Sequence, residues 1–258
     1  MDKTCKISIV LPAYNERENI ALCVEKCKEA FEVLTSDYEI IVVDDGSSDK
    51  MHEVCARLVE RNLQVKFYHH KTNQGYGAAL RTGFANATGD YIFYTDADNQ
   101  FDISELRYFI PLMEHYDVAI GFRVYRYDPV LRCFLSWCYN QLVSILFRIK
   151  VRDVDCSFKL FRKEVLEKIK IECNDFFVDT ELIAKARKWN FRIIEKGVRH
   201  YPRMHGQTTV RPSHIFTTLK TVFIMWKRIY FPDKRLLPTP TQARLDVERK
   251  PVLESSQL

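Results

Sequence analysis

Over its first 125 residues the chain repeats one pattern: a short apolar segment, a polar or small turn, and a stretch with helical spacing. The apolar segments cover residues 7–11, 38–43, 65–69, 91–95 and 118–121. Segments so uniformly apolar are typical of strands that are buried on both faces. Strands that alternate with helices predict a mostly parallel sheet with helices on both faces, whose ligands bind at the C-terminal strand ends. The sequence therefore predicts an α/β fold.

Length and composition support a globular unit. The chain has 258 residues, 47% of them hydrophobic, and a formal net charge of +5. That length suits one large α/β domain or two small ones, and that apolar fraction excludes a disordered chain. The mild positive charge permits attraction to anionic lipid or phosphate. We expect no nucleic-acid partner, because no stripe of Arg and Lys interleaved with aromatic residues is present.

The eight cysteines do not have the pattern of a small secreted disulfide protein. No Cys-x-x-Cys pair occurs, and the first residues run into an apolar strand without the features of a signal peptide. We therefore expect a reducing, cytoplasmic compartment. No uninterrupted apolar run reaches the roughly 18 residues that a membrane-spanning helix requires. Any contact with the cytoplasmic membrane face is expected to be peripheral.

Two carboxylates follow the segment at residues 91–95. Asp96 and Asp98 stand one residue apart, and Gln100 follows at the same spacing. Alternation along an extended backbone directs these side chains to one side, and oxygen-bearing groups buried together need a compensating cation. Hard divalent ions such as Mg²⁺ and Mn²⁺ accept such ligands and share them with substrate phosphates. The alternative is a solvated turn, and a second Asp-x-Asp at Asp153 and Asp155 shows that the motif alone does not decide.

Polar and small residues also follow the other early strands. Asn15, with Glu18 three residues later, has the spacing of a capping box and predicts the start of a helix. Asp44 is either a turn residue or a carboxylate that accepts hydrogen bonds from a nucleobase or ribose. Gly75 and Gly77 precede a helix predicted through residue 86, and their small size lets the backbone approach a neighbour or a phosphate.

Longer elements are expected further along the chain. Residues 214–230 carry apolar side chains at helical spacing together with Lys and Arg. That pattern is typical of a helix on the core and also of one at a lipid headgroup boundary. From residue 232 the Pro- and charge-rich sequence is expected to be disordered. The other expected elements are helices over 103–115 (with a bend near Pro111), 129–149 and 178–189, and strands over 158–161 and 191–196.

Seven motifs stand in order along the chain. They are Leu11-Pro12-Ala13-Tyr14-Asn15-Glu16, Val43-Asp44-Asp45-Gly46-Ser47, Asn73-Gln74-Gly75-Tyr76-Gly77-Ala78, Thr95-Asp96-Ala97-Asp98-Asn99-Gln100-Phe101, Gly121-Phe122-Arg123, Asp155-Cys156-Ser157-Phe158-Lys159-Leu160-Phe161 and Asp179-Thr180-Glu181-Leu182. Together they resemble the family-2 glycosyltransferases of the GT-A fold, and among them the polyprenyl- and dolichol-phosphate sugar synthases. The resemblance implies a Rossmann-like catalytic domain over residues 1–211, an amphipathic, interfacial segment over 212–231 and a tail over 232–258.

The resemblance also implies roles for single residues. Asp179 stands where relatives that act on hydroxyl groups carry their base, although a carboxylate at a helix N-terminus is equally explained by the helix dipole. Asp98 would take part in catalysis, and Arg203 or Arg199 would assist at the acceptor. The acceptor phosphate would be held by Arg123, Arg132 and Ser136. The ligands of Mg²⁺ or Mn²⁺ would be Asp96, Asp98 and Gln100. The donor, such as GDP-mannose or UDP-glucose, would be held by Pro12, Ala13, Tyr14, Glu16, Asp44, Asp45, Gly75, Asp96, Ala97 and Arg203.

The implied reaction is an inverting, metal-dependent transfer of a sugar to polyprenyl phosphate. The metal would neutralise the leaving diphosphate. A phosphate monoester has a second pKa of about 6, so it attacks as an anion and needs positioning arginines more than a base. Access to the lipid would be through the membrane surface or a membrane partner protein. The alternatives are transfer to a hydroxyl of a glycolipid or polysaccharide, which requires a base, and a catalytically inactive sugar-nucleotide-binding or scaffold protein.

Overall fold

A computed structural model of the protein describes residues 5–125, 130–203 and 214–231, with side chains except at 130–132 and 214–218. Its strands form one seven-stranded sheet. They are β1 Ile7–Ala13, β2 Tyr38–Asp44, β3 Val65–His69, β4 Tyr91–Tyr94, β5 Val118–Arg123, β6 Lys159–Arg162 and β7 Ile193–Val198. Every strand expected from the sequence is present, within two residues of its expected start.

The strand order is β3-β2-β1-β4-β6-β5-β7. β1 pairs in parallel with β2 and β4, β2 with β3, and β5 with β7. β6 runs antiparallel between β4 and β5. The prediction of a mostly parallel sheet is confirmed. The antiparallel insertion was not predicted, because β6 follows a long helix and no short hairpin turn marks its direction.

Helices cover both faces of the sheet. They are α1 Ile20–Leu34, α2 Met51–Arg61, α3 Tyr76–Asn86, α4 Val130–Phe147, α5 Lys163–Lys168, α6 Val178–Lys188 and α7 His214–Tyr230. Successive strand residues point to opposite faces, so Ile9 packs in a cluster with α1 and α2 while Val10 packs in another with α3, α4, α6 and α7. Burial on both faces explains why the strands are almost wholly apolar.

The helical cap expected at Asn15 and Glu18 is wrong. α1 begins at Ile20, and Asn15 has a φ of +57°. Its side chain is used elsewhere: Asn15 Oδ1 accepts the backbone N–H of Ser48 at 2.8 Å, and its own N–H donates to Ser47 Oγ at 2.8 Å. These bonds join the loops that follow β1 and β2.

The helical structure expected over residues 103–115 is present, but it is divided near Pro111. Two 3₁₀ helices stand there, Ile103–Tyr108 and Ile110–Glu114. Pro111 lies in the first turn of the second, where its missing N–H is harmless, and it disfavours a continuous α-helix through the preceding residue. The expected bend near Pro111 therefore becomes a break.

α7 packs on the core. Val222, Met225 and Ile229 are buried in the cluster that contains α4 and α6, and Tyr230 Oη donates to the carbonyl of Phe147 at 2.6 Å. No helix within the described ranges is both long and apolar enough to cross a membrane. The expected tail over 232–258 lies outside the described residues.

Candidate active site

The loops after β1 and β2 form one wall of the candidate site. Pro12 and Ala13, at the buried end of β1, pair in register with Val43 and Asp44. Tyr14 follows them and is exposed. The carboxylate of Asp44 is fully buried. It contacts the loop after β2 and the end of β3. These four residues lie at the C-terminal strand ends, where contacts with the nucleotide sugar were predicted. Their roles in binding it stay predictions.

Each of the two adjacent aspartates at the end of β2 holds a loop. Asp44 Oδ1 accepts the N–H of Ser47 at 2.9 Å, and Oδ2 lies 3.0 Å from His69 Nδ1. Asp45 accepts the N–H groups of Gln74 at 2.9 Å and Gly75 at 2.7 Å. Asp45 therefore fixes the chain that enters α3.

A close backbone contact explains the two glycines at the start of α3. Gly75 has a φ of +100°, and a Cβ there would lie 2.2 Å from the carbonyl oxygen of Asn174. A Cβ at Gly77 would lie 2.2 Å from the carbonyl oxygen of Cys173. The N–H of Gly77 donates to Asn174 at 2.9 Å. Gly75 thus serves packing against residues 173–174 as well as the backbone approach expected from the sequence.

Asp96 is held by two hydroxyl groups. Tyr76 Oη donates to Oδ1 at 2.8 Å and Ser157 Oγ donates to Oδ2 at 2.6 Å. Burial and the neighbouring charge of Asp98 nevertheless raise the pKa of Asp96 to about 7. The two hydroxyl donors do not neutralise the charge of Asp96, and Ala97 between the two carboxylates is buried.

Asp98 is paired with Arg203. Arg203 Nη2 lies 2.8 Å from Asp98 Oδ2, and Nη1 lies 3.3 Å from Glu16 Oε1. Burial raises the pKa of Glu16, and Asn19 donates to this carboxylate at 2.6 Å. Arg203 therefore joins the loop after β1 to the end of β4, two regions that are far apart in the sequence.

The donor set at the end of β4 fits a hard divalent ion. Asp96 and Asp98 supply oxygen atoms, and their mutual repulsion would be relieved by a cation. The side chain of Gln100 is used in another contact, in which its Nε2 donates to the carbonyl of Tyr201 at 2.9 Å; its metal role stays a prediction. Among the described residues no cluster of three Asp, Glu, His or Cys side chains arranged to hold a metal is found.

The second Asp-x-Asp has a different use. Asp153 receives two hydrogen bonds of 2.6 Å from the guanidinium of Arg123. Burial opposes the charge of Arg123, but Asp153 outweighs it and raises the pKa of this arginine. For Asp155, burial and the charges of Asp179 and Asp153 raise the pKa to about 7. Asp153 is thus engaged by Arg123, and the predicted metal ligands do not include this pair.

Of the remaining residues predicted on the acceptor side, Ser136 and Arg132 lie on α4 and Arg199 follows β7. Asn140 donates to the carbonyl of Ser136 at 2.9 Å and accepts the N–H of Val154 at 2.9 Å, which ties this part of α4 to the loop of Asp153. Arg132 belongs to α4, but its side chain lies outside the described residues. Arg199 is exposed beside Glu105. These acceptor roles stay predictions.

Asp179 is bound by a cation that the sequence analysis did not single out. Tyr94 Oη and Lys159 Nζ both donate to its Oδ1. Lys159 is fully buried and also donates to the carbonyl of Cys156 at 2.6 Å. A lysine within the apolar segment Phe158–Phe161 was the available signal, because a buried ammonium requires an anionic partner.

Comparisons of the sequence with known proteins find glycosyltransferases. The model of the family "Glycosyl transferase family 2" matches residues 8–170. Glycosyltransferase AglD of Haloferax volcanii is 35% identical over 216 residues, which are 80% of this chain and 34% of that protein. Undecaprenyl-phosphate 4-deoxy-4-formamido-L-arabinose transferase of Yersinia enterocolitica is 29% identical over 88% of this chain and 68% of its own length. Dodecaprenyl-phosphate galacturonate synthase of Rhizobium johnstonii is 28% identical over 84% and 65%. The chain thus spans a third to about two thirds of these relatives.

Solved structures share the fold. Glucosyl-3-phosphoglycerate synthase from Mycobacterium tuberculosis, in complex with UDP, matches with a TM-score of 0.65 and 19% identity over 90% of this chain and 82% of that one. Staphylococcus aureus TarS, in complex with UDP-GlcNAc, matches with a TM-score of 0.59 and 18% identity over 85% and 66%. The predicted GT-A type of α/β fold is confirmed.

Proposed function

Because this chain belongs to glycosyl transferase family 2, we propose that it moves a sugar from a nucleotide-sugar donor to a polyprenyl phosphate, with inversion and with a divalent ion. Two relatives carry undecaprenyl phosphate and dodecaprenyl phosphate in their names, which supports this acceptor class. A synthase of the same fold was solved with Mn²⁺ and UDP, which supports a divalent ion and a nucleotide donor.

The observation that carries the acceptor class is the bonding of Asp179. Relatives that act on hydroxyl groups need a base at this position, but here Oδ1 accepts hydrogen bonds from both Tyr94 and Lys159. Asp179 therefore has a structural use as the partner of a buried ammonium, and only its Oδ2 is left to receive a proton from an acceptor hydroxyl. An acceptor that arrives already ionised, as a phosphate monoester does, avoids the need for a base.

The residues at the end of β4 would hold the ion and the donor. Asp98, with Asp96, would supply carboxylate ligands, and the bound ion would neutralise the charge of the leaving diphosphate. Tyr76 and Ser157 orient Asp96 through hydrogen bonds of 2.8 and 2.6 Å. Asp45 fixes the loop before α3 by accepting the N–H of Gly75 at 2.7 Å.

The acceptor phosphate would be met by fixed positive charge. The bidentate pair with Asp153 restricts the rotamers of Arg123, so that binding a phosphate costs little further side-chain entropy. Ser136 and Arg132, both on α4, would complete the contact. With the phosphate oxygen positioned opposite the leaving group, attack on the anomeric carbon inverts its configuration.

Exposed aromatic residues on neighbouring helices would bring the chain to the lipid. α4 exposes Phe134 and Trp137, whose ring centroids lie 6.2 Å apart. α7 exposes Phe223, and Phe231 directly after α7 is also exposed; both rings contact the ring of Trp226. Large apolar groups on helices that also carry Lys and Arg suit a membrane interface. We propose that these helices contact the membrane peripherally.

The test uses matched acceptors. UDP- and GDP-sugars are incubated with a short polyprenyl phosphate or with the corresponding polyprenol, in Mn²⁺, in Mg²⁺ or in EDTA. The proposal expects a sugar-phospholipid only with the phosphate and only with metal. Transfer to the polyprenol at a similar rate, or equal transfer in EDTA, would contradict it.

A second candidate is transfer to a hydroxyl group, with Asp179 as the base through its Oδ2. This candidate predicts that Asp179→Asn abolishes turnover and that Arg132→Ala is tolerated, whereas transfer to a phosphate acceptor would depend on Arg132. Donor hydrolysis without lipid product would also favour it.

A further inference from the structure

Arg203 forms an ion pair with Asp98, a carboxylate that the divalent ion would need as a ligand. Its Nη2 lies 2.8 Å from Asp98 Oδ2, and Asp98 is only 4% exposed. Burial opposes the charge of Arg203, but Asp98 and then Glu16 outweigh it and raise the pKa of this arginine. In this state the guanidinium compensates a buried carboxylate, which is the same electrostatic task that a bound cation performs.

The two cations cannot use Asp98 together without a penalty. A divalent ion bound to Asp98 would lie within a few ångströms of the guanidinium, in a partly buried site where repulsion between like charges is weakly screened. Relief requires either that Arg203 leaves or that an anion joins the site. A nucleotide diphosphate is such an anion, and arginine binds its oxygen atoms with the same fork geometry that it uses for carboxylates.

The backbone around Arg203 favours an exchange of side-chain partners. The N–H of Tyr201 donates to the carbonyl of Gln100 at 2.8 Å, and Gln100 Nε2 donates to the carbonyl of Tyr201 at 2.9 Å. This pair of bonds anchors the chain two residues before Arg203 to the end of β4. The long side chain of Arg203, which is 27% exposed, can then turn while its backbone stays near the site.

We infer that Arg203 competes with the divalent ion for Asp98, and that the donor diphosphate ends the competition by taking Arg203 as its own ligand. The inference rests on the proposed metal and nucleotide donor, and it goes beyond them by assigning their coupling to one side chain. Metal alone binds weakly because it must displace Arg203. Metal and nucleotide together bind tightly, and by linkage each strengthens the other by the same factor.

The test compares binding constants, not turnover. Calorimetry measures the Kd of Mn²⁺ with and without UDP, and again with GDP, for the wild type, Arg203→Gln and Arg192→Gln. Arg192 is a matched control: it pairs with Asp117 at 3.0 Å at the opposite end of β7, and its loss changes the net charge equally. Thermal unfolding of each variant verifies that it is folded.

We expect Arg203→Gln to bind Mn²⁺ alone about tenfold more tightly than the wild type, since one adjacent positive charge is removed. The ratio of the Mn²⁺ Kd values without and with nucleotide should fall toward one in this variant and stay large in Arg192→Gln. Arg203→Lys, which keeps the charge, should bind Mn²⁺ alone no more tightly than the wild type.

Two results would overturn the inference, and they differ in meaning. If the wild type shows strong coupling and Arg203→Gln shows the same coupling with unchanged affinity for Mn²⁺ alone, the role of Arg203 is wrong and the proposed function stands. If the wild type binds neither nucleotide with help from the metal, both the inference and the proposed donor chemistry fail.

Discussion

Buried carboxylates stand at both ends of the sheet, and their pKa values are shifted in opposite directions. At the start of β2, Glu39 accepts hydrogen bonds from Ser8 Oγ at 2.5 Å and from the N–H and hydroxyl of Thr88 at 2.7 and 2.8 Å, and Lys66 Nζ lies 2.6 Å away. Burial alone would raise the pKa of Glu39, but Lys66, Ser8 and Thr88 lower it to about 2. At the other end, Asp96 and Asp155 have pKa values of about 7.

The difference is in how completely each charge is compensated. Glu39 has a cation and three hydrogen-bond donors, so its ionised form stabilises the fold. Asp96 and Asp155 lie among other carboxylates, and their ionised forms are destabilising. An uncompensated buried carboxylate lowers the stability of the fold but preserves affinity for a cation. Glu39 therefore serves stability, and the uncompensated charges of Asp96 and Asp155 support the proposal that their end of the sheet binds ligands.

The largest expected effect is on activity at the C-terminal end. Asp98→Ala should lower the transfer rate by about a thousandfold or more, because it removes a predicted metal ligand beside the leaving diphosphate. Product formation at saturating Mn²⁺ measures this, with Glu39→Gln as the control that should keep its kcat when folded. An Asp98→Ala enzyme within tenfold of the wild type would contradict the assignment of this end to catalysis.

Lys159 tests a fully buried cation at the functional end. Lys159→Met should lower the free energy of unfolding by about 3–5 kcal/mol, since it leaves Asp179 buried without its ammonium partner. Urea unfolding provides the measurement. The double variant Lys159→Met/Asp179→Asn should recover part of the loss, whereas a strictly additive loss would mean that the two side chains do not stabilise each other.

Glu39→Gln should lower the free energy of unfolding by about 2–3 kcal/mol at pH 7. The pKa of Glu39 is below its ordinary value of 4.5, so its ionised form stabilises the native state above that pH. The contribution is lost as the pH falls from about 4.5 to about 2, and the wild type and variant should converge there. Unfolding curves across this range that stay parallel would show that Glu39 acts only by packing.

Asp155→Asn should have a smaller effect of the opposite sign. Its pKa is raised from 3.8 to about 7, so the native state holds the proton more tightly than the unfolded state, and stability falls as the pH rises between these values. The variant should be more stable than the wild type by about 1–2 kcal/mol at pH 8 and equal to it at pH 4. A loss of stability at pH 8 would show that the charge of Asp155 is compensated.

The sequence predicted the sheet and the family well and the detailed contacts poorly, for physical reasons. Apolar strands and motif order are local signals, so the strands and the cluster of residues at their ends were found. Asn15 was misassigned because a side-chain oxygen that can cap a helix can equally bind another loop. The pairs Arg123–Asp153 and Lys159–Asp179 join residues 20 or more positions apart, and no local spacing predicts such partners.

The contact between Gly77 and Cys173 bears on where this domain can be divided. The family match ends at residue 170, yet Arg81 of α3 donates to the carbonyls of Ile171 and Cys173, and Glu181 holds the N–H groups of Glu172 and Cys173. A chain cut after residue 170 would expose the flank of α3 and lose the edge strand β7. The boundary drawn by shared sequence is thus shorter than the structural unit that these contacts form.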